Sequence, residues 1–183
     1  MQPIFLVVGG PGVGKSTTSR ALAASFASSI HLPVDDLRHM VVSGLALPNL
    51  EWDDELVRQI RLAREAAVRM AEAYAAAGFA VVLDDFYDPR GLEEYRELLS
   101  RPGIVGVVLY PTAGEARRRN AARSTGEEAG YIDGAIAHAY SVLGPAVGRL
   151  AEEGWLVLDT TEMDVAAVVA AIRERSGGQT GSR

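Results

Sequence analysis

The sequence predicts an α/β fold with three layers, in which helices cover both faces of a five-stranded parallel sheet. Five short apolar segments rich in valine, isoleucine and leucine alternate along the chain with segments of helical periodicity. Alternating strands and helices build parallel sheets, and strands covered on both faces are apolar throughout. The 183 residues suit one domain, predicted to span residues 1–175, with a small arginine-rich lid near residues 111–131. Residues 176–183, polar and rich in glycine, are predicted to form a flexible tail.

The predicted elements alternate from one end of the chain to the other. Strands are expected at residues 4–8, 30–34, 79–83, 104–110 and 155–159. Helices are expected at residues 16–26, 52–77, 92–99, 113–123 and 132–143, with a loop at residues 124–130. The longest helix is expected to begin at Asp53 or Asp54 and to end at Gly78. A capping box of Thr161 and Asp164 is expected to begin the last helix, which would end near residue 175.

A glycine-rich segment follows the first predicted strand and precedes the first predicted helix. It fits G-x-x-x-x-G-K-[ST] at every fixed position, which indicates the phosphate-binding loop of a P-loop NTPase or kinase. Glycines allow backbone N–H groups to surround an anion, and the N-terminus of the helix adds partial positive charge. We therefore expect the phosphates of ATP to be bound by Gly10, Pro11, Gly12, Val13, Gly14, Lys15, Ser16 and Thr17.

Lys15 is the only lysine in the chain, and the other 17 of the 18 basic residues are arginines. A compact ammonium group on a flexible stem can reach the β- and γ-phosphates inside a tight loop, which a planar guanidinium group does badly. Ser16 offers its hydroxyl group to Mg²⁺. The loop therefore predicts ATP and Mg²⁺ as cofactors.

Two predicted strands end in aspartate pairs, Asp35-Asp36 and Asp84-Asp85. Parallel strands bring their carboxyl ends, and with them the bound ligands, to one edge of the sheet. Asp84 follows an apolar strand in the manner of a Walker B aspartate and is the predicted Mg²⁺ ligand. Asp35 or Asp36 is the predicted general base towards an acceptor hydroxyl group, although aspartates after strands also cap helices. Asp36, Arg38 and Asp85 are expected on the acceptor side, while Arg38 could equally pair with a carboxylate.

Four arginines crowd the predicted helix at residues 113–123, namely Arg117, Arg118, Arg119 and Arg123. Because these cations repel one another, we expect an anionic partner, such as the charge on a transferred phosphoryl group. Arg119 and Arg123 share a helix face and are the predicted catalytic pair. A solvated basic face is the alternative.

Composition narrows the possible partners. The net charge of −6 argues against extended binding to nucleic acid. The absence of cysteine excludes disulfides and thiolate metal sites, and no apolar run is long enough to span a membrane, so a cytoplasmic protein is expected. The scattered histidines His31, His39 and His138 are expected to be structural. Arg58, Arg61 and Arg64 on the longest helix are expected to form mostly a solvated stripe, although one of them could face the acceptor site.

The motifs, taken in order over residues 3–145, resemble the kinase domain of polynucleotide 5′-hydroxyl kinases. They also resemble its small-molecule relatives, the chloramphenicol phosphotransferase-like and zeta-toxin-like kinases, and the loop is similar to that of AAA-type ATP-binding domains. The resemblance implies Asp35 as the base, Arg38 near the acceptor and Arg123 on the transferring phosphate. The chain departs from the polynucleotide kinases in having Asp85 where they tend to have threonine, in lacking a phosphatase domain and in its acidity. These departures argue against a nucleic-acid substrate but do not affect the prediction of kinase chemistry.

The resulting hypothesis is an ATP-dependent kinase that transfers the γ-phosphate to a hydroxyl group of a small molecule or of a nucleic-acid 5′ end. A nucleoside or nucleotide kinase is the nearest alternative, and a non-catalytic ATP-binding module is the alternative from another class. The identity of the acceptor, the preference for ATP over GTP and the oligomeric state stay open at this point.

Overall fold

The computed structural model contains one sheet of five parallel strands in the order β2-β3-β1-β4-β5. It describes residues 2–47, 52–96, 104–122 and 127–180. The strands are β1 (Ile4–Gly9), β2 (Ser29–Pro33), β3 (Ala80–Phe86), β4 (Ile104–Leu109) and β5 (Leu156–Leu158). All four pairings are parallel, which confirms the predicted sheet.

Helices connect the strands. They are α1 (Lys15–Ala24), α2 (Val34–His39), α3 (Asp54–Ala76), α4 (Gly91–Glu94), α5 (Ala113–Ala121), α6 (Glu127–Leu143), α7 (Val147–Glu152) and α8 (Val165–Thr180). Asp53 caps α3 by accepting a hydrogen bond from Leu56 N at 2.7 Å. Gly78 follows the helix with a φ of +90°, a left-handed conformation that glycine adopts without strain. Both ends of the longest helix thus lie close to their predicted positions.

Two apolar cores lie on opposite faces of the sheet, because successive strand residues point to opposite sides. Leu6, Val81 and Leu83 pack against the alanine stripe of α3, which includes Ala67 and Ala71. On the other face, another set packs together from the strands and from α1, α5, α6 and α8; it includes Phe5, Val7, Val82, Leu22, Ala116, Ile136 and Ile172. This arrangement confirms the three predicted layers.

Three local predictions differ from the structure. Helix α6 begins at Glu127, inside the predicted loop at residues 124–130, since acidic residues at positions 127 and 128 suit a helix N-terminus. Asp164 alone caps α8, accepting from Ala167 N at 2.7 Å, while Thr161 Oγ1 accepts from Thr112 N at 2.9 Å. Helix α8 also continues through Thr180, into the segment predicted as a tail.

The aspartate pairs also lie differently with respect to the elements. Asp35 and Asp36 occupy the first turn of α2 rather than the end of a strand, where the helix dipole favours negative charge. Asp84 and Asp85 lie within β3, which extends to Phe86. In the described part of the chain, no helix is both long enough and apolar enough to cross a membrane.

Candidate active site

The glycine-rich loop joins β1 to α1 at the carboxyl edge of the sheet. Gly9, the last residue of β1, is level with Phe86 of β3 and Leu109 of β4. Gly12 has a φ of +75°, and a Cβ atom there would lie 2.6 Å from the carbonyl oxygen of Ala116. Because both its conformation and its space exclude a side chain, the loop can follow this path only with glycine at position 12.

The loop presents the groups that a nucleotide phosphate and Mg²⁺ require. Lys15 Nζ donates to Gly10 O at 2.9 Å, and Ser16 Oγ donates to Asp84 Oδ1 at 3.3 Å. The first backbone N–H groups of α1 have no carbonyl partner within the helix, so they can serve a phosphate. A hydroxyl and a carboxylate oxygen are the ligand types of Mg²⁺, which usually takes only one or two protein ligands beside the phosphates. The described residues contain no cluster of three or more His, Cys, Asp or Glu suited to a metal.

Asp84 and Asp85 point to opposite faces of the sheet. Asp84 shares its face with Val82 and therefore reaches Ser16 at the start of α1. Asp85 shares its face with Leu83 and lies against α3. The alternation of strand residues thus turns Asp84 towards the phosphate loop and Asp85 towards α3.

Asp85 belongs to a buried ionic network. Its Oδ2 atom accepts from Arg64 Nε at 2.7 Å and from Tyr95 Oη at 2.9 Å. Arg64 Nη1 also donates to Asp88 at 3.2 Å and to Glu94 at 3.3 Å. The side chains of Arg64 and Asp85 are 2% and 1% exposed, so Arg64 does not belong to a solvated stripe as predicted. The network joins α3 to the end of β3 and the segment that follows.

Burial governs the protonation equilibria of this network. It raises the pKa of Asp85, and the adjacent Arg64 opposes the rise by charge and hydrogen bonding. It also raises the pKa of Tyr95, and the negative charge of Asp85 adds to the effect. Burial, the largest single effect, would lower the pKa of Arg64, but Asp85, Tyr95 and Asp88 together outweigh it and the pKa is raised. Arg64 is therefore held in its charged form.

Asp35 is held by Arg38 at the start of α2. Arg38 Nε and Nη2 donate to Asp35 Oδ1 at 3.2 and 3.1 Å, and Nη1 donates to Ala46 O at 2.7 Å. Arg38 is buried, whereas the side chain of Asp35 is 56% exposed. Asp36 is exposed on the same turn. The carboxylate of Asp35 is therefore oriented by a buried cation and open to an incoming molecule.

The arginines of α5 divide into different environments. Arg117 is exposed, and Arg118 is tied by two 2.7 Å hydrogen bonds to Glu115, whose pKa it lowers to about 2. Arg119 lies inward: its Nη1 donates to Val13 O at 3.1 Å and its Nη2 to Thr160 O at 2.7 Å. Arg119 therefore bridges the phosphate loop and the segment after β5. The predicted catalytic partner, Arg123, lies outside the described residues.

Aromatic rings lie at the end of β3, on the predicted acceptor side. Phe86 meets Trp52 edge to face, with ring centroids 5.6 Å apart. The guanidinium group of Arg64 lies 4.9 Å from the centroid of the Phe86 ring, and that of Arg90 lies 5.2 Å from the centroid of the Trp52 ring. Trp52 is 38% exposed. The rings thus form a partly open apolar wall braced by two cations.

Sequence reasoning missed two contacts of the site. His31 of β2, expected to be structural, has its Nε2 atom 2.5 Å from Asp84 Oδ2. Strand alternation could have indicated this contact, because it turns His31 to the face of the sheet opposite the apolar Leu32. Arg64 left a weaker signal, namely its position beside Ala63 and Ala67 on the buried stripe of α3.

The chain matches a known protein family. The family model described as chloramphenicol phosphotransferase-like protein matches residues 2–176. No curated protein sequence matches the chain.

Solved structures of kinases share the fold. The shikimate kinase of Acinetobacter baumannii, solved in complex with shikimate, superposes with a TM-score of 0.64 at 18% identity, covering 100% of this chain and 97% of its own. A gluconokinase from Sinorhizobium meliloti 1021 gives 0.60 at 17% identity, covering 97% and 91%. A sugar kinase from Janibacter sp. HTCC2649 gives 0.59 at 14% identity, covering 98% and 95%.

Proposed function

Because the chain belongs to the chloramphenicol phosphotransferase-like family, we propose that it is an ATP- and Mg²⁺-dependent kinase of small molecules that bear a hydroxyl group. One observation carries the proposal. The phosphate loop follows β1 and the Arg38-oriented carboxylate of Asp35 follows β2, while β3, whose Asp84 pairs with Ser16, lies between these two strands, so all of these groups lie at the carboxyl edge of the sheet. A phosphate donor and an acceptor can therefore meet there.

The proposed roles follow from the contacts. The loop and Lys15 hold the β- and γ-phosphates, and Ser16 and Asp84 hold Mg²⁺, which neutralises phosphate charge when bound. Asp35 accepts the proton of the acceptor hydroxyl group while the oxygen of that hydroxyl group forms a bond to the γ-phosphorus. The bond from that phosphorus to the bridging oxygen breaks, and ADP leaves. Arg38 orients Asp35, and Arg119 secures the loop at the nucleotide. Arg123 is proposed to neutralise charge on the transferring phosphate.

A small molecule is the acceptor class that the surroundings favour. The exposed Asp35 and the partly open wall of Trp52 and Phe86 offer a carboxylate and ring faces. A net charge of −6 disfavours a long polyanion, so a nucleic-acid 5′ end is the weaker candidate.

The test is a search for a phosphorylated product. The protein is incubated with Mg²⁺-ATP and chloramphenicol, shikimate, gluconate, nucleosides, nucleoside monophosphates or a 5′-hydroxyl oligonucleotide, and products are identified by mass spectrometry. We expect a phosphorylated small molecule, product loss with Lys15→Ala, and a fall of about 10²- to 10⁴-fold with Asp35→Asn. Product from a monophosphate alone would support a nucleotide kinase instead. Nucleotide binding without product from a broad panel would support a non-catalytic module.

A further inference from the structure

His31 brings a nitrogen atom to the predicted metal carboxylate from the neighbouring strand. It lies opposite Val82 in the parallel pairing of β2 with β3. Its Nε2 atom is 2.5 Å from Asp84 Oδ2, and the two side chains are only 12% and 7% exposed. The contact is therefore a largely buried hydrogen bond that joins two strands.

The carboxylate of Asp84 is fixed by a different partner at each oxygen. Ser16 Oγ donates to Oδ1 at 3.3 Å, and His31 engages Oδ2 at 2.5 Å. A carboxylate bonded at one oxygen can still turn about the bond to its Cβ atom, whereas bonds at both oxygens restrict that rotation. His31 thus holds Asp84 in the orientation that presents it to Ser16.

We propose that His31 is a positioning residue, which promotes Mg²⁺ binding by orienting the carboxylate of Asp84. The inference rests on the proposed function, since it takes Ser16 and Asp84 as the metal site. Groups that hydrogen-bond to metal ligands fix their orientation, and removing them commonly weakens metal affinity by about 10- to 100-fold. The nitrogen of His31 acts on the ligand rather than on the metal, because Mg²⁺ prefers oxygen.

Two substitutions separate the hydrogen bond from the volume of the side chain. His31→Leu introduces an apolar side chain of similar size and removes the donor. His31→Gln retains an N–H group that can reach the same carboxylate oxygen. His138→Leu, an exposed histidine on α6, is the matched control. Thermal unfolding of each variant shows whether it is folded before binding is measured.

The experiment measures the binding of a fluorescent ATP analogue at increasing Mg²⁺, and again with Mg²⁺ chelated. For His31→Leu we expect the Mg²⁺ concentration at half-saturation to rise about tenfold or more, with unchanged affinity for the metal-free nucleotide. His31→Gln should restore most of the Mg²⁺ response, and His138→Leu should match the parent chain.

Unchanged Mg²⁺ dependence in His31→Leu would overturn the inference. Equal weakening by Leu and Gln would also overturn it, because the imidazole itself would then be required. These results are distinct from failure of the proposed function, since the readout is binding rather than turnover. A chain that binds Mg²⁺-ATP normally but phosphorylates no acceptor would contradict the function and leave the role of His31 intact.

Discussion

Arg38 donates two hydrogen bonds to a single oxygen of Asp35, from Nε at 3.2 Å and from Nη2 at 3.1 Å. Because Arg38 also donates to Ala46 O, its guanidinium group is fixed from two sides. The other oxygen of Asp35 is left facing His39 Nδ1 at 3.9 Å. Asp35 is thus oriented through one oxygen while the other is available to accept a proton.

Arg38→Lys should lower the rate of phosphoryl transfer without weakening nucleotide binding. A lysine is a point charge that cannot reproduce the two donors and the bond to Ala46 together. We expect kcat to fall about tenfold, the scale of one lost hydrogen bond to a charged group, with the KM for ATP unchanged. Steady-state kinetics, with an acceptor that the panel shows to be a substrate, measures kcat and the KM for ATP.

Arg58→Lys is the control for this prediction. Arg58 makes a comparable two-bond contact with Glu55, but on the exposed surface of α3. It should leave kcat and KM as they are. Equal losses in the Arg38 and Arg58 variants would contradict an orienting role for Arg38.

Arg64→Met should destabilise the fold strongly. It leaves the carboxylate of Asp85 buried without its cation, which costs about 3–5 kcal/mol. Arg61→Met, on an exposed part of the same helix, should change the free energy of unfolding by less than about 0.5 kcal/mol. Urea unfolding at fixed pH measures both, and Arg64→Met with Asp85→Asn should recover part of the loss.

The pH dependence of Arg64→Met provides a second readout. Burial already raises the pKa of Asp85, and loss of Arg64 removes the interaction that opposes the rise. A carboxyl group whose pKa is raised by folding stabilises the protein below its unfolded pKa, and this stability is lost as pH rises through the folded pKa. The variant should therefore be relatively more stable at pH 5 than at pH 8. An equal deficit at both values would show that Asp85 is not the cause.

Local features of this structure could be predicted from the sequence better than contacts between distant parts of the chain. The phosphate loop and the strand before it were predicted because a short motif defines their geometry. The separation of Asp84 from Asp85 could have been read from the alternation of β3, although runs that are apolar on both faces hide that alternation. The partnership of Arg64 with Asp85 is a contact between distant parts of the chain, and arginine is rarely fully buried unless it is paired. The position of Arg64 on the buried stripe of α3 indicates burial, but no local feature identifies Asp85 as its partner.

Gly12→Ala should damage the phosphate loop. The left-handed conformation at φ +75° costs a non-glycine residue about 1–2 kcal/mol, and the new Cβ atom would meet Ala116 O at 2.6 Å. We expect a lower unfolding temperature and weaker binding of an ATP analogue. Gly114→Ala in α5, where no described residue beyond the helix's own backbone lies within 4 Å of the new Cβ atom, should bind normally and be as stable or slightly more stable. Normal binding by Gly12→Ala would mean that the loop can take another path.

Arg119→Ala distinguishes two roles for the inward arginine of α5. The hydrogen bonds to Val13 O and Thr160 O indicate that Arg119 secures the phosphate loop against the segment after β5. Loss of these charged donors should raise the Kd of the ATP analogue about tenfold. Arg118→Ala, which removes only the contact with Glu115, should leave the Kd unchanged. A role confined to the transferring phosphoryl group, as the sequence suggested, predicts instead a lower kcat with an unchanged Kd. Because the side chain of Arg119 is already engaged by two backbone carbonyls, we expect the change to appear in binding.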